Sequence, residues 1–119
     1  MQFGDIQGKA STLHQLAGIY ANRGDVDEAI ALYNQSKEIF ERIGNIQGKA
    51  ATLHQLAGIY ANRGDVDEAI ALYNQSLELK ERIGNLEGKA STLHQLAGIY
   101  ANRGDVDEAI ALYNPIRFS

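Results

Sequence analysis

TLHQLAGIYANRGDVDEAIALYN, residues 12–34, recurs unchanged at 52–74 and again at 92–114. The period is 40 residues, and between 5–44 and 45–84 only five of 40 positions differ: Asp5/Asn45, Ser11/Ala51, Lys37/Leu77, Ile39/Leu79 and Phe40/Lys80. Self-similarity at a fixed period marks an array of supersecondary units, each unable to bury its apolar face alone. The chain therefore reads as a single array over 1–119: repeat 1 (5–44), repeat 2 (45–84), a truncated repeat 3 (85–114) and a tail, 115–119. Drift would blur copies this alike, so they imply recent duplication or design.

Within the unit the pattern is helical. Ala10, Leu13, Leu16, Ala17 and Tyr20 recur at the three-and-four spacing of one helix face. Gly24 then provides a left-handed stop, and Asp25 stands at the N-cap of a second helix with Glu28 three residues on, the capping-box spacing. That second helix carries Val26, Ala29, Ile30, Leu32 and Tyr33 and runs on to Ile43, where Gly44 stops it and Asn45 caps the next. Connections of about two residues force antiparallel neighbours. Glu38 and Arg42 are spaced for a surface ion pair on one helix face. Gly18, inside the first helix, costs about 1 kcal/mol relative to Ala, which implies a packing reason for it. Nothing alternates with period two, so no sheet is expected.

Composition narrows the function. The 119 residues carry 11 Lys+Arg against 15 Asp+Glu, no Cys, no Trp and one Pro. Without cysteine there is no disulfide framework, thiolate ligand or thiol nucleophile. A net charge of −4 offers no electrostatic reason for nucleic acid or anionic membrane as partner. No apolar run reaches the roughly 18 residues of a membrane span, and the first residues lack a signal-peptide layout, so a cytoplasmic protein is expected.

Leu13, Leu16-Ala17, Tyr20, Gly24-Asp25, Ala29-Ile30 and Tyr33 match, in order and spacing, the helix-turn-helix signature of the tetratricopeptide repeat (TPR) family, which the chain resembles. Leu13 stands where that family usually has Trp, and the unit is longer than the usual ~34 residues. Ile43-Gly44-Asn45-Ile46-Gln47-Gly48-Lys49-Ala50 is similar to the inter-repeat segment of the longer-unit subclass. The resemblance implies an all-α, right-handed alpha-alpha superhelix of antiparallel helix pairs. It further implies a concave face lined by the first helices, with His14, Gln15 and Asn22, then His54, Gln55 and Asn62, then His94, Gln95 and Asn102 along it. Ser11, Gly18 and Ala21 accompany them in the first unit. The Lys and Asn by which some members clamp a C-terminal carboxylate are replaced by His14 and Gly18, which speaks against that role.

Other constellations have plainer explanations. Equivalent histidines of stacked units stand on the order of 10 to 20 Å apart, too far to share one metal ion. Arg-Gly-Asp at 23–25, 63–65 and 103–105 supplies a helix C-terminal cation, a left-handed glycine and an N-cap carboxylate, so an adhesive role is not needed to explain it. Asn34-Gln35-Ser36 and Asn74-Gln75-Ser76 fall mid-helix and are discounted as glycosylation sites. The carboxylates Asp27, Glu28, Glu38 and Glu41 recur with the repeat, whereas catalysis needs one special environment. No catalytic group and no cofactor is expected.

Two functions follow. The first is a non-catalytic scaffold that binds a peptide or protein partner on the concave face. The second is a self-assembling array, a homo-oligomer joined through uncapped ends. In that case Leu13, Leu16 and Ile19 would lie open at one end, and Tyr113, Ile116 and Phe118 would form the self-association surface at the other. The last helix, from Val106 to Asn114 before Pro115, is expected to be short and marginal.

Overall fold

The computed structural model describes residues 3–113, with side chains from Asp5 onward. Ile116 and Phe118 lie outside this range, as does the tail beyond Asn114. The described residues form helices and no strands: α1 (Phe3–Arg23), α2 (Val26–Arg42), α3 (Ile46–Asn62), α4 (Val66–Arg82), α5 (Leu86–Asn102) and α6 (Val106–Tyr113). Each helix packs on the next, and α1 also touches α3, so the first helices of successive pairs lie side by side. The result is a short solenoid measuring 50 × 32 × 17 Å.

The turns explain the antiparallel pairing. Gly24 and Gly44 adopt φ of 89° and 75°, a left-handed conformation that leaves the chain free to reverse. At the first turn Gly24 N–H donates to Ala21 O at 3.0 Å and Asp25 N–H to Tyr20 O at 2.9 Å, which satisfies the last carbonyls of α1. The next turn has a true side-chain cap, in which Gly48 N–H donates to Asn45 Oδ1 at 2.8 Å.

Two local expectations need correcting. Asp25 makes no side-chain cap bond, so no capping box forms with Glu28. Its carboxylate turns instead to Arg23 Nε, 3.2 Å away, and Asp65 repeats this with Arg63 at 3.3 Å. Glu38 and Arg42 do not pair either. The packing of α2 on α3 brings Glu41 within 2.9 Å of Lys49, and the same junction one unit later joins Glu81 to Lys89 at 3.5 Å.

Small residues set the helix spacing. Ala17, Ala29, Ala57, Ala69 and Ala97 have no exposed surface, and Leu53, Leu56 and Leu96 fill the layer between the two rows of helices. Burying each leucine contributes roughly 2 kcal/mol. Gly18 faces Tyr33, whose hydroxyl a Cβ there would meet at 3.3 Å. At Gly58 the same contact is an ordinary 3.6 Å, so close packing does not account for the repeated glycine. Buried Ser36 ties α2 to α1 by donating to Ala10 O at 2.8 Å, and Ser76 bonds Ala50 O in the same way.

Candidate functional site

The first helices of the three pairs, α1, α3 and α5, carry the polar row His-Gln-Asn. Gln15, Gln55, Gln95, Asn22, Asn62 and Asn102 are all exposed. His14 and His54 are half-buried and His94 is exposed. Two notches interrupt the row. The first, between α1 and α3, is about 170 Å³ and is lined by Ser11, His14, Gln15, Phe40, Gly48 and Ala51. The second, between α3 and α5, is about 520 Å³, and His54, Gln55, Lys80, Asn85 and Ser91 stand on its walls. Asn22, Asn62 and Asn102 line neither notch.

The histidines do more than face a groove. Each sits edge-on to the tyrosine of its own pair, with ring centroids of His14 and Tyr33 5.2 Å apart and of His54 and Tyr73 likewise 5.2 Å. His14 and His54 also reach the next unit. His14 Nδ1 is 2.9 Å from Thr52 Oγ1, and His54 Nδ1 is 3.2 Å from Thr92 Oγ1. The first contact ties α1 directly to α3, whereas at the second junction the Lys80 ammonium bridges His54 Nδ1 and Thr92 Oγ1.

Proton accounting distinguishes the two junctions. The Thr52 hydroxyl donates to Gly48 O at 2.9 Å, which leaves its oxygen to accept from His14. His14 therefore carries its proton on Nδ1 and keeps a lone pair on Nε2. At the second junction the Thr92 hydroxyl donates to Gly88 O at 3.0 Å, and Lys80 Nζ donates to Thr92 Oγ1 at 2.9 Å. Lys80 Nζ also lies 3.3 Å from His54 Nδ1. A charged donor prefers that lone pair, so Nδ1 of His54 accepts and its Nε2 carries the hydrogen. Two histidines in identical local sequence thus present opposite polarity, an acceptor at His14 and a donor at His54.

Burial and charge keep both rings neutral. Desolvation lowers the His14 pKa below its ordinary value. Burial together with the Lys80 ammonium holds His54 at about 4. Burial lowers the pKa of Lys80 and raises those of Tyr33 and Tyr73. Among the described residues no cluster of His, Asp or Glu could hold a metal ion, and no helix is long and apolar enough to cross a membrane.

The Arg-Gly-Asp turns are built into the fold. In each, the arginine lies over the preceding tyrosine, at 5.5 Å for Arg23 on Tyr20, and pairs with its aspartate. Phe40 and Lys80 differ between the first two units, but nothing in the sequence gives either a role. The only available signal was that Lys replaces an aromatic at one of five variable positions in an otherwise repeated unit.

Antiparallel helix pairs stacked side by side, with a polar row on the first helices, define a helical-repeat solenoid. The Tetratricopeptide repeat family model matches residues 8–82 and 48–114, so the chain belongs to that family. Proteins of this fold are in general protein–protein interaction scaffolds and are typically non-catalytic. Among solved structures it is similar to BtubC (BKLC) from P. vanneervenii, with a TM-score of 0.75 and 25% identity over 87% of this chain and 42% of that one. It is also similar to a kinesin light chain-like protein of Podosopora anserina with nearly identical TPR-like repeats, with a TM-score of 0.72 and 28% identity over 89% of this chain and 52% of that one. The chain thus spans about half the length of these relatives or less. No curated protein matches it.

Proposed function

We propose that this protein is a non-catalytic scaffold, acting in the cytoplasm, that binds an extended segment of a protein partner along α1, α3 and α5. One observation carries the reading: exposed Gln15 and Gln55 line the two notches where those helices meet, and exposed Gln95 continues their row on α5. Neutral amides and imidazoles beside shallow recesses suit the backbone and side chains of an extended peptide. The test is fluorescence anisotropy with peptides selected from a phage-displayed random library. Replacing Gln15, Gln55 and Gln95 together by Ala is expected to weaken binding at least about tenfold with little change in melting temperature. Unchanged affinity would refute the groove.

A second reading, self-association, rests on apolar side chains at the two ends of the solenoid. Leu16 is 38% exposed where Leu56 and Leu96 are each 1%, and Tyr113 is 47% exposed where Tyr33 is 4%. Another copy could cover these surfaces as the internal junctions do. Light scattering during size exclusion decides it. A mass that rises with loading supports association, and a constant single-chain mass rules it out.

A further inference from the structure

We propose that the notch between α3, the end of α4 and α5 is a subsite for one carboxylate side chain of the bound peptide, with Lys80 as its cation. The inference rests on the groove reading above and adds what the groove selects.

The argument is a comparison of the molecule with itself. Phe40 and Lys80 occupy the same position in successive units. The Phe40 ring lies so near Gly48 that a Cβ there would be 2.5 Å from it, and the first notch shrinks to about 170 Å³. Lys80 is slimmer, and the second notch, which Lys80 helps to line, is about 520 Å³. The side chain is nonetheless buried, at 7% exposure, and among the described residues no carboxylate pairs with it. Its protein acceptors are the neutral Thr92 hydroxyl and His54 Nδ1. An ammonium has three hydrogens to donate, so one is left for whatever enters the notch. A cation withdrawn from water without a counter-ion gains most from an anion that reaches it.

The surroundings narrow the anion. Gln55, Asn85 and Ser91, whose side chains carry hydrogen-bond donors, stand on the same walls. Exposed Glu87 also lines the notch and repels negative charge. A nucleic acid would need a run of cations, whereas a single Asp or Glu side chain needs one. Neighbouring first helices lie about 10 Å apart, the length of about three extended residues. The preferred ligand is therefore an extended peptide with an acidic residue about three positions from a small apolar one, the latter resting against Phe40 and Ala51 in the first notch.

The test uses the full chain and a phage-displayed random-peptide library, with selected peptides remade carrying fluorescein. The selected peptides should share an acidic residue. Changing it to its amide should weaken binding to the native chain about tenfold. With Lys80→Phe, which rebuilds the first junction's arrangement, the same change should cost less than about twofold. Glu87→Gln should tighten binding. Peptides that need Gln15, Gln55 and Gln95 but show no acidic preference, or an equal loss with Lys80→Phe, would overturn the subsite and leave the groove standing. Peptides indifferent to those glutamines would overturn both.

Discussion

Lys80 donates to Thr92 Oγ1 at 2.9 Å, at the position where Phe40, one repeat earlier, lays its ring against Gly48. This exchange accounts for the different volumes of the two notches and for the opposite tautomers of His14 and His54. The face formed by α1, α3 and α5 is therefore not periodic although its sequence nearly is.

The crowding at Gly48 gives a direct test. Gly48→Ala places a methyl group 2.5 Å from the body of the Phe40 ring, which cannot swing aside as the tip of a flexible chain would. Urea unfolding should show a loss of about 1–3 kcal/mol despite the better helix propensity of Ala. In a Phe40→Lys background the loss should shrink without vanishing, because at Gly88, beside Lys80, a Cβ would still stand 2.5 Å from the Asn85 amide.

Gly58 should behave oppositely. A Cβ there would meet only the Tyr73 hydroxyl, at 3.6 Å, an ordinary contact. Gly58→Ala should stabilise the chain by roughly 0.5–1 kcal/mol in the same measurement. Gly18→Ala should gain less, because the Tyr33 hydroxyl stands closer, at 3.3 Å.

The caps separate two residues that look equivalent. Asn45 accepts a hydrogen bond from Gly48 N at 2.8 Å, while Asp25 makes no cap bond and pairs with exposed Arg23. Asn45→Ala should cost about 1 kcal/mol in unfolding free energy, and Asp25→Ala less than half as much. Equal losses would contradict the observed cap geometry.

This contrast shows what was legible beforehand. The helix pairs follow from the spacing of Leu13, Leu16 and Tyr20, and the turns from Gly24 and Gly44, because apolar period and left-handed glycine are local properties. Asp25 and Glu28 carried the letters of a capping box, but Arg23, two residues back in the chain, competes for the carboxylate. Glu38 and Arg42 had the spacing of a pair, but the α2–α3 junction joins Glu41 to Lys49 instead. Lys80 was illegible for a related reason. A lysine near a helix end reads as a solvated charge, and only the packing of α5 shows that it is buried beside Thr92.

Acid should loosen the second junction. The His54 pKa is about 4 in the folded chain against an ordinary 6.5, so the unfolded chain binds the proton more readily. The stability this group confers is complete above pH 6.5 and is lost as pH falls towards 4. Melting temperature should therefore drop more steeply over that window in the native chain than in His54→Gln. Parallel curves would show that the His54 pKa is not depressed in the folded chain.

The most direct measurement is a crystal structure of the chain with a peptide selected for binding. The account predicts that the peptide lies extended along α1, α3 and α5, with an acidic side chain in the notch at Lys80. A peptide seated on α2 and α4, or at either end of the solenoid, would contradict it.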